Sequence, residues 1–182
     1  MYTALMKTVL TKRKGQSLVE TIVALSVLVV GFMGLITLLS RSFAISNFVS
    51  ENYVATYLAA EGIEVVRDLI EHNYRAGGLI AWNEGLIGKC PCEVEWSNTY
   101  LSPELGGTLF LDIATGLYDY DSRGVSTKFT RTIYIDSSLG PDRLRITSAV
   151  KWDSSGGITG VPIHSEVNLE DHFFDPYPNP NP

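Results

Sequence analysis

The sequence predicts an α+β fold, one long N-terminal helix followed by an antiparallel sheet. Two observations carry this. Residues 21–40 hold no ionisable side chain, and the pattern after them keeps helical spacing with no proline and one glycine, Gly62, as far as residue 75. From residue 126 the apolar period changes to two, and Gly-, Ser- and Pro-containing breaks separate the runs.

Composition narrows the function classes. The chain has 182 residues, 14 Lys+Arg against 20 Asp+Glu, and a net charge of −6. An acidic balance argues against a dedicated nucleic-acid binder. Two cysteines cannot build a disulfide-rich scaffold, and three scattered histidines beside them make a poor metal inventory. An apolar content of 45% excludes wholesale disorder. The charge is uneven. Lys7, Lys12, Arg13 and Lys14 give residues 1–15 a local +4 with no acid, so the remainder, with 10 basic and 20 acidic residues, carries −10.

Residues 21–40, TIVALSVLVVGFMGLITLLS, span roughly 30 Å as a helix, the thickness of a bilayer's hydrocarbon core. A cleavable secretory signal has an apolar region of about 7–15 residues and a small-residue cleavage site, so a membrane-spanning helix is the better reading. The basic cluster before it should stay cytoplasmic, placing the C-terminal bulk outside. Glu20 does not fit a plain anchor, because a carboxylate in the membrane needs a partner. One reading is a capping box, with Ser17 at the N-cap and Glu20 three residues later. The other rests on the residues just upstream.

The helix is expected to continue through 41–74. Val54, Leu58, Val65 and Leu69 recur at helical spacing beside Tyr57 and Val66, and Glu51, Glu61, Glu64, Arg67, Asp68 and Glu71 fill most other places. Gly77-Gly78 should end it. Residues 77–125 read as irregular loop with about two short strands among the apolar pieces 79–82, 93–96 and 108–113. Three strands should follow as a meander. The first puts Phe129, Ile133 and Ile135 on one parity, interrupted by Arg131. The second puts Leu144, Ile146, Val150 and Trp152 inward; the third does so with Val161, Ile163, Val167 and Leu169. Residues 175–182, DPYPNPNP, should form an exposed, extended tail.

KRKGQSLVE, residues 12–20, followed by the uncharged stretch, resembles the type IV prepilin signal. The block ATYLAAEGIEVVRDLI is similar to the later part of the long helix in minor pilins and pseudopilins. The resemblance implies a pilin-like roll and a leader, residues 1–15, removed after Gly15. It also implies N-methylation of Gln16 and an assembly and processing role for Glu20, the fifth mature residue. Residues 16–40 would be the membrane and filament-core segment, 41–74 its amphipathic continuation, 75–174 the extracytoplasmic domain and 175–182 the tail. One departure is Gln16, where major pilins usually have an apolar residue, which weighs against a major subunit. The implied partners are the prepilin peptidase/methyltransferase, other pilins or pseudopilins in a filament, the inner-membrane assembly platform and membrane lipid. The implied location is the cytoplasmic membrane in a single pass and then a pilus or a type II secretion pseudopilus. The alternatives are a tip or surface binding module, for DNA uptake or adhesion, and an anchored domain that never joins a filament.

Other features carry less. Cys90 and Cys92 flank Pro91; a disulfide between them, free thiols and bonds between subunits are all open, although so short a ring is expected to be strained. Asp119, Asp121 and Gly124 are similar to the start of a calcium loop, but Arg123 takes a ligand position and Thr130 stands where the closing Glu would be, so a solvated turn is expected. Arg143, Arg145 and Lys151 read as a solvated strand face, and nucleic acid is not expected as a partner. No catalytic constellation, cofactor motif or metal site is found, so the chain is not expected to be an enzyme.

Overall fold

The computed structural model describes residues 14–76, 80–88, 90–96, 100–103, 107–154 and 162–175. The chain divides into two compact units between Ser46 and Asn47. Helix α1, Lys14–Arg75, contributes to both. The second unit adds β1 (Cys92–Glu93), β2 (Ser102–Pro103), β3 (Thr108–Leu111), β4 (Tyr118–Asp119), β5 (Val125–Asp136), β6 (Arg143–Ser154) and β7 (Ile163–Phe174). This is one long, N-terminally apolar helix followed by an antiparallel sheet, with the later part of the helix packed on that sheet.

The three long strands form the meander read from the period-two runs. β5 pairs with β6 from Thr130↔Lys151 to Asp136↔Arg145, and β6 with β7 from Arg143↔Phe174 to Ser154↔Ile163, both antiparallel. The other edge of β5 is shared. β3 pairs along its N-terminal half, Phe110 opposite Ser126, and β1 meets it at Ile133 through Cys92. β2 and β4 extend β1 and β3 outward. The stretch expected to be mostly loop therefore supplies four short strands. Pieces of two to four residues are too short for a periodic signal, and their backbone groups are satisfied only because β5 offers a long edge.

The core lies between this sheet and the helix from Ala55 onward. Ala55, Leu58, Ala59, Ile63, Val66, Leu69 and Ile70 are buried, recurring every three or four residues, with Leu58/Ala59 and Leu69/Ile70 as adjacent pairs. The face is rotated from the expected one. Leu58, Val66 and Leu69 are inside, Val54 and Val65 are partly buried, and Tyr57 is 75% exposed. Small residues, Ala55, Ala59 and Gly62, occupy the middle because they allow the helix backbone to approach the sheet closely. Phe129, Val150 and Trp152 pack against the early part of this face, and Ile133, Leu144 and Ile146 against the later part.

One expectation about strand faces is corrected, and the break in the first run is explained. Arg131 shares the parity of Phe129 and Ile133, lies on the core face and is fully buried. Ile163, expected inward, is 53% exposed, because the first residue of β7 extends beyond the apolar clusters. Val167 and Leu169 do pack inward, joined by Phe173. Val161, Gly77-Gly78 and residues 176–182 lie outside the described residues.

Hydrogen bonds close the connections. Asn73 Nδ2 donates to the carbonyls of Trp82 and Glu84 at 3.0 and 3.1 Å, tying the end of α1 to the following turns. At the β5–β6 turn Asp136 accepts the Ser138 amide at 2.8 Å and pairs with Arg145. Ser138, through its hydroxyl and amide, and then Arg145 hold the Asp136 carboxyl down at about 2, below its ordinary 3.8. A depressed carboxylate stabilises the fold above its unfolded pKa and loses that contribution as pH falls through the folded one. The thermal midpoint should therefore drop between about pH 4 and pH 2, and Asp136→Asn should flatten that part of the profile. An unchanged profile in the variant would refute the assignment.

Candidate functional site

In the first unit the chemistry is that of an apolar helix surface. Residues 17–43 are all exposed on the isolated chain, Leu28, Met33 and Leu38 among them at 56–66%. The hydroxyl side chains of residues 21–40 are turned onto their own backbone. Thr21, Ser26, Thr37 and Ser40 each donate a hydroxyl to the carbonyl four residues earlier, at 2.8–2.9 Å. No such hydroxyl then needs water, which suits a helix in hydrocarbon. Among the described residues this is one helix long and apolar enough to cross a membrane. A Cβ added at Gly31 or Gly34 would meet open space, so among the described residues nothing requires a glycine there.

Gly15 and Gln16 lie in the first turn of α1, and residues 1–13 lie outside the described residues. Glu20 stands two turns into α1, exposed, and it is the one acid between residues 16 and 50. The capping-box reading is corrected here. Because α1 begins at Lys14, Ser17 is within the helix and its carbonyl accepts the Thr21 hydroxyl. Glu20 is thus not consumed by a cap, and among the described residues no side chain pairs with it.

The second unit contains a polar layer that the sequence reading missed. Arg131, on the central strand β5, directs its guanidinium at the helix. Nη1 donates to the Leu58 carbonyl at 3.1 Å and lies 3.4 Å from Glu61 Oε1, while Nη2 donates to the Val94 carbonyl at 2.7 Å. The Leu58 carbonyl also accepts the Gly62 amide in the helical pattern, so Arg131 joins a helix bond from the side. This approach requires Gly62. A Cβ there would stand 2.6 Å from Ser148 Oγ, 2.9 Å from Ile133 Cδ1 and 3.1 Å from Arg131 Cδ. Tyr120 donates its hydroxyl to the Arg131 carbonyl at 3.2 Å, and burial raises its pKa, keeping it a neutral donor. A charge and a helix glycine 69 residues apart show no signal of their pairing in sequence alone.

A second polar group fixes the helix nearer its entry to the sheet. Glu51 accepts from Trp152 Nε1 at 3.1 Å and pairs with Lys128. Burial acts to raise the Glu51 carboxyl, but Lys128, Ser154 and Trp152 together outweigh it and hold the pKa below the usual range. The helix is thereby locked to β5 and β6 by ionic groups on each side of the first apolar cluster.

The remaining sequence-flagged residues are spread over the domain. A disulfide joins Cys90 and Cys92, with Cys92 buried against the Ile133 carbonyl at the β1 edge. Asp121 accepts the Arg123 amide at 3.0 Å and its Nε at 2.6 Å, and Arg123 lowers the Asp121 pKa. Asp119 accepts the Asp121 amide at 3.1 Å. Among the described residues no group of three His, Cys, Asp or Glu is placed to hold a metal. Of the outer basic residues, Arg145 pairs with Asp136, Arg143 lies 3.6 Å from Asp142 and over the Phe174 ring, and Lys151 stands opposite Glu166. The face alternates in charge. No family model, no curated protein and no solved structure matches the chain.

Proposed function

We propose that the chain is a structural subunit, a minor pilin or pseudopilin, of a type IV pilus or type II secretion pseudopilus. The observation that carries this is a basic leader in the sequence followed, in one unbroken helix, by Gly15, Glu20 five residues on, and an exposed apolar surface over residues 21–40. The apolar stretch inserts in the cytoplasmic membrane with the basic residues inside. Cleavage after Gly15 frees an α-amine on Gln16, which is then methylated. The same apolar surface later packs against neighbouring helices at the centre of a filament, and the domain from Asn47 onward lies outside.

Mass spectrometry of the membrane-extracted protein tests this. The expected species begins at methylated Gln16 and lacks fifteen residues. A bulky replacement, Gly15→Leu, should leave the full-length form in the membrane, visible as slower gel mobility. A wild-type protein that keeps Met1, or a variant that is processed normally, would refute the reading.

A further inference from the structure

β7 pairs with β6 on one side, and among the described residues no strand lies on its other side. The phase of that open edge follows from one bond. The Asp175 N–H donates to the Asp142 carbonyl at 2.9 Å, which extends the β6–β7 register by one pair. Backbone polar groups alternate along a strand, so odd-numbered residues of β7 face β6 and even-numbered ones face the open edge. The C-terminal end of that edge is already occupied. Asp171 accepts the His172 N–H at 2.8 Å, and Tyr74 donates its hydroxyl to the Phe174 carbonyl at 3.3 Å. Residues 164–170 remain, regular over the whole register, with no bulge and no proline. Such an edge is a template for another strand.

The chain carries a segment of complementary chemistry. Residues 175–182 read Asp-Pro-Tyr-Pro-Asn-Pro-Asn-Pro. In an extended conformation Tyr177, Asn179 and Asn181 direct N–H and C=O to one edge, while the four prolines direct carbonyls without donors to the other. Proline fits an edge strand only when its missing N–H faces solvent, which this alternation achieves at every proline together. The segment can therefore add to an open edge and then end the sheet. Every other residue in it precedes a proline and is biased to extended backbone, which opposes a turn back along its own β7. In sequence it follows Asp175, at the end of β7 opposite to residue 164.

We propose that residues 176–182 of one copy add as a strand to the open edge of β7, residues 164–170, in a second copy. Tyr177, Asn179 and Asn181 supply the donors, and the Asn168 and Glu166 backbones lie at the centre of the acceptor edge. Pairing requires two copies side by side and does not depend on cleavage at Gly15.

Two full-length copies with different tags, one carrying Asn168→Cys and the other Asn179→Cys, are co-expressed and oxidised in membranes. The expected product is a disulfide between the two copies on a non-reducing gel. Adding Tyr177→Pro and Asn181→Pro to the tail copy removes two of its three donors and should reduce that product about tenfold or more. Pro178→Ala with Pro180→Ala leaves the donors in place and should preserve it. These tail variants alter no residue of the helix or sheet, so their effect reports pairing and not unfolding. Absence of the intermolecular product, or equal yields with and without the added prolines, would overturn the proposal.

Discussion

Arg131→Ala is expected to destabilise the domain from Asn47 onward by about 3–5 kcal/mol, measured as a shift in thermal or denaturant midpoint. The variant leaves a cavity at the centre of the sheet and deprives the buried Val94 carbonyl of its 2.7 Å donor. The Leu58 carbonyl suffers less, since it keeps the Gly62 amide. Arg131→Met should cost clearly less, because it refills the volume and removes a buried cation whose Nε has no partner among the described residues. If Met costs as much as Ala, the guanidinium hydrogen bonds dominate and packing is secondary. The same layer fixes the sign for Gly62→Ala. Helix propensity favours alanine by about 1 kcal/mol, but contacts of 2.6 and 2.9 Å to Ser148 and Ile133 cost about 1–3. The net should be destabilising, and Ser148→Ala should relieve part of it by removing a buried hydroxyl that is itself unpartnered among the described residues. An additive double variant would refute this coupling.

If the chain is the proposed pilin-like subunit, Glu20→Ala should reduce its incorporation into filaments at least about tenfold, while leaving membrane insertion and cleavage after Gly15 intact. On the proposed reading Glu20 and the amine of Gln16 are four residues apart, one helical turn and about 6 Å along the axis, so both lie on one face. Among packed apolar helices the carboxylate needs a cation, from its own terminus or a neighbour's. Such a pair contributes to register more than to net stability. The measurement is the ratio of subunit in sheared filaments to subunit in membranes. Normal incorporation of the variant would remove the assembly role from Glu20, whereas a variant that is uncleaved would place its role in processing.

The parts of the fold legible in the sequence are those whose cause is local. An uncharged run of twenty residues and an uninterrupted helical pattern define α1 to within a few residues, because the backbone bonds of a helix close within four positions. Period-two runs place Leu144, Ile146, Val150 and Trp152 correctly, since one face of a strand must be apolar to be buried. The segment around Gly15 and Glu20 is also a local pattern, within nine residues, and it lies at the start of α1.

The tertiary structure decided whatever depends on residues far apart. Arg131 reads as a break in an apolar strand until Leu58, Val94 and Glu61 are brought around it, and Gly62 reads as a weak point in a helix until Ser148 is found against it. Rotation of the helix face onto Ala55, Ala59 and Gly62, the exposure of Ile163 and the four short strands beside β5 have the same origin. Sequence alone therefore determined which segments are helix, long strand and candidate membrane segment, because periodicity and charge are written along the chain. Which buried charges are satisfied, and which edge of the sheet no strand among the described residues covers, was settled only by packing, because a hydrogen bond between distant residues leaves no periodic trace in either of them.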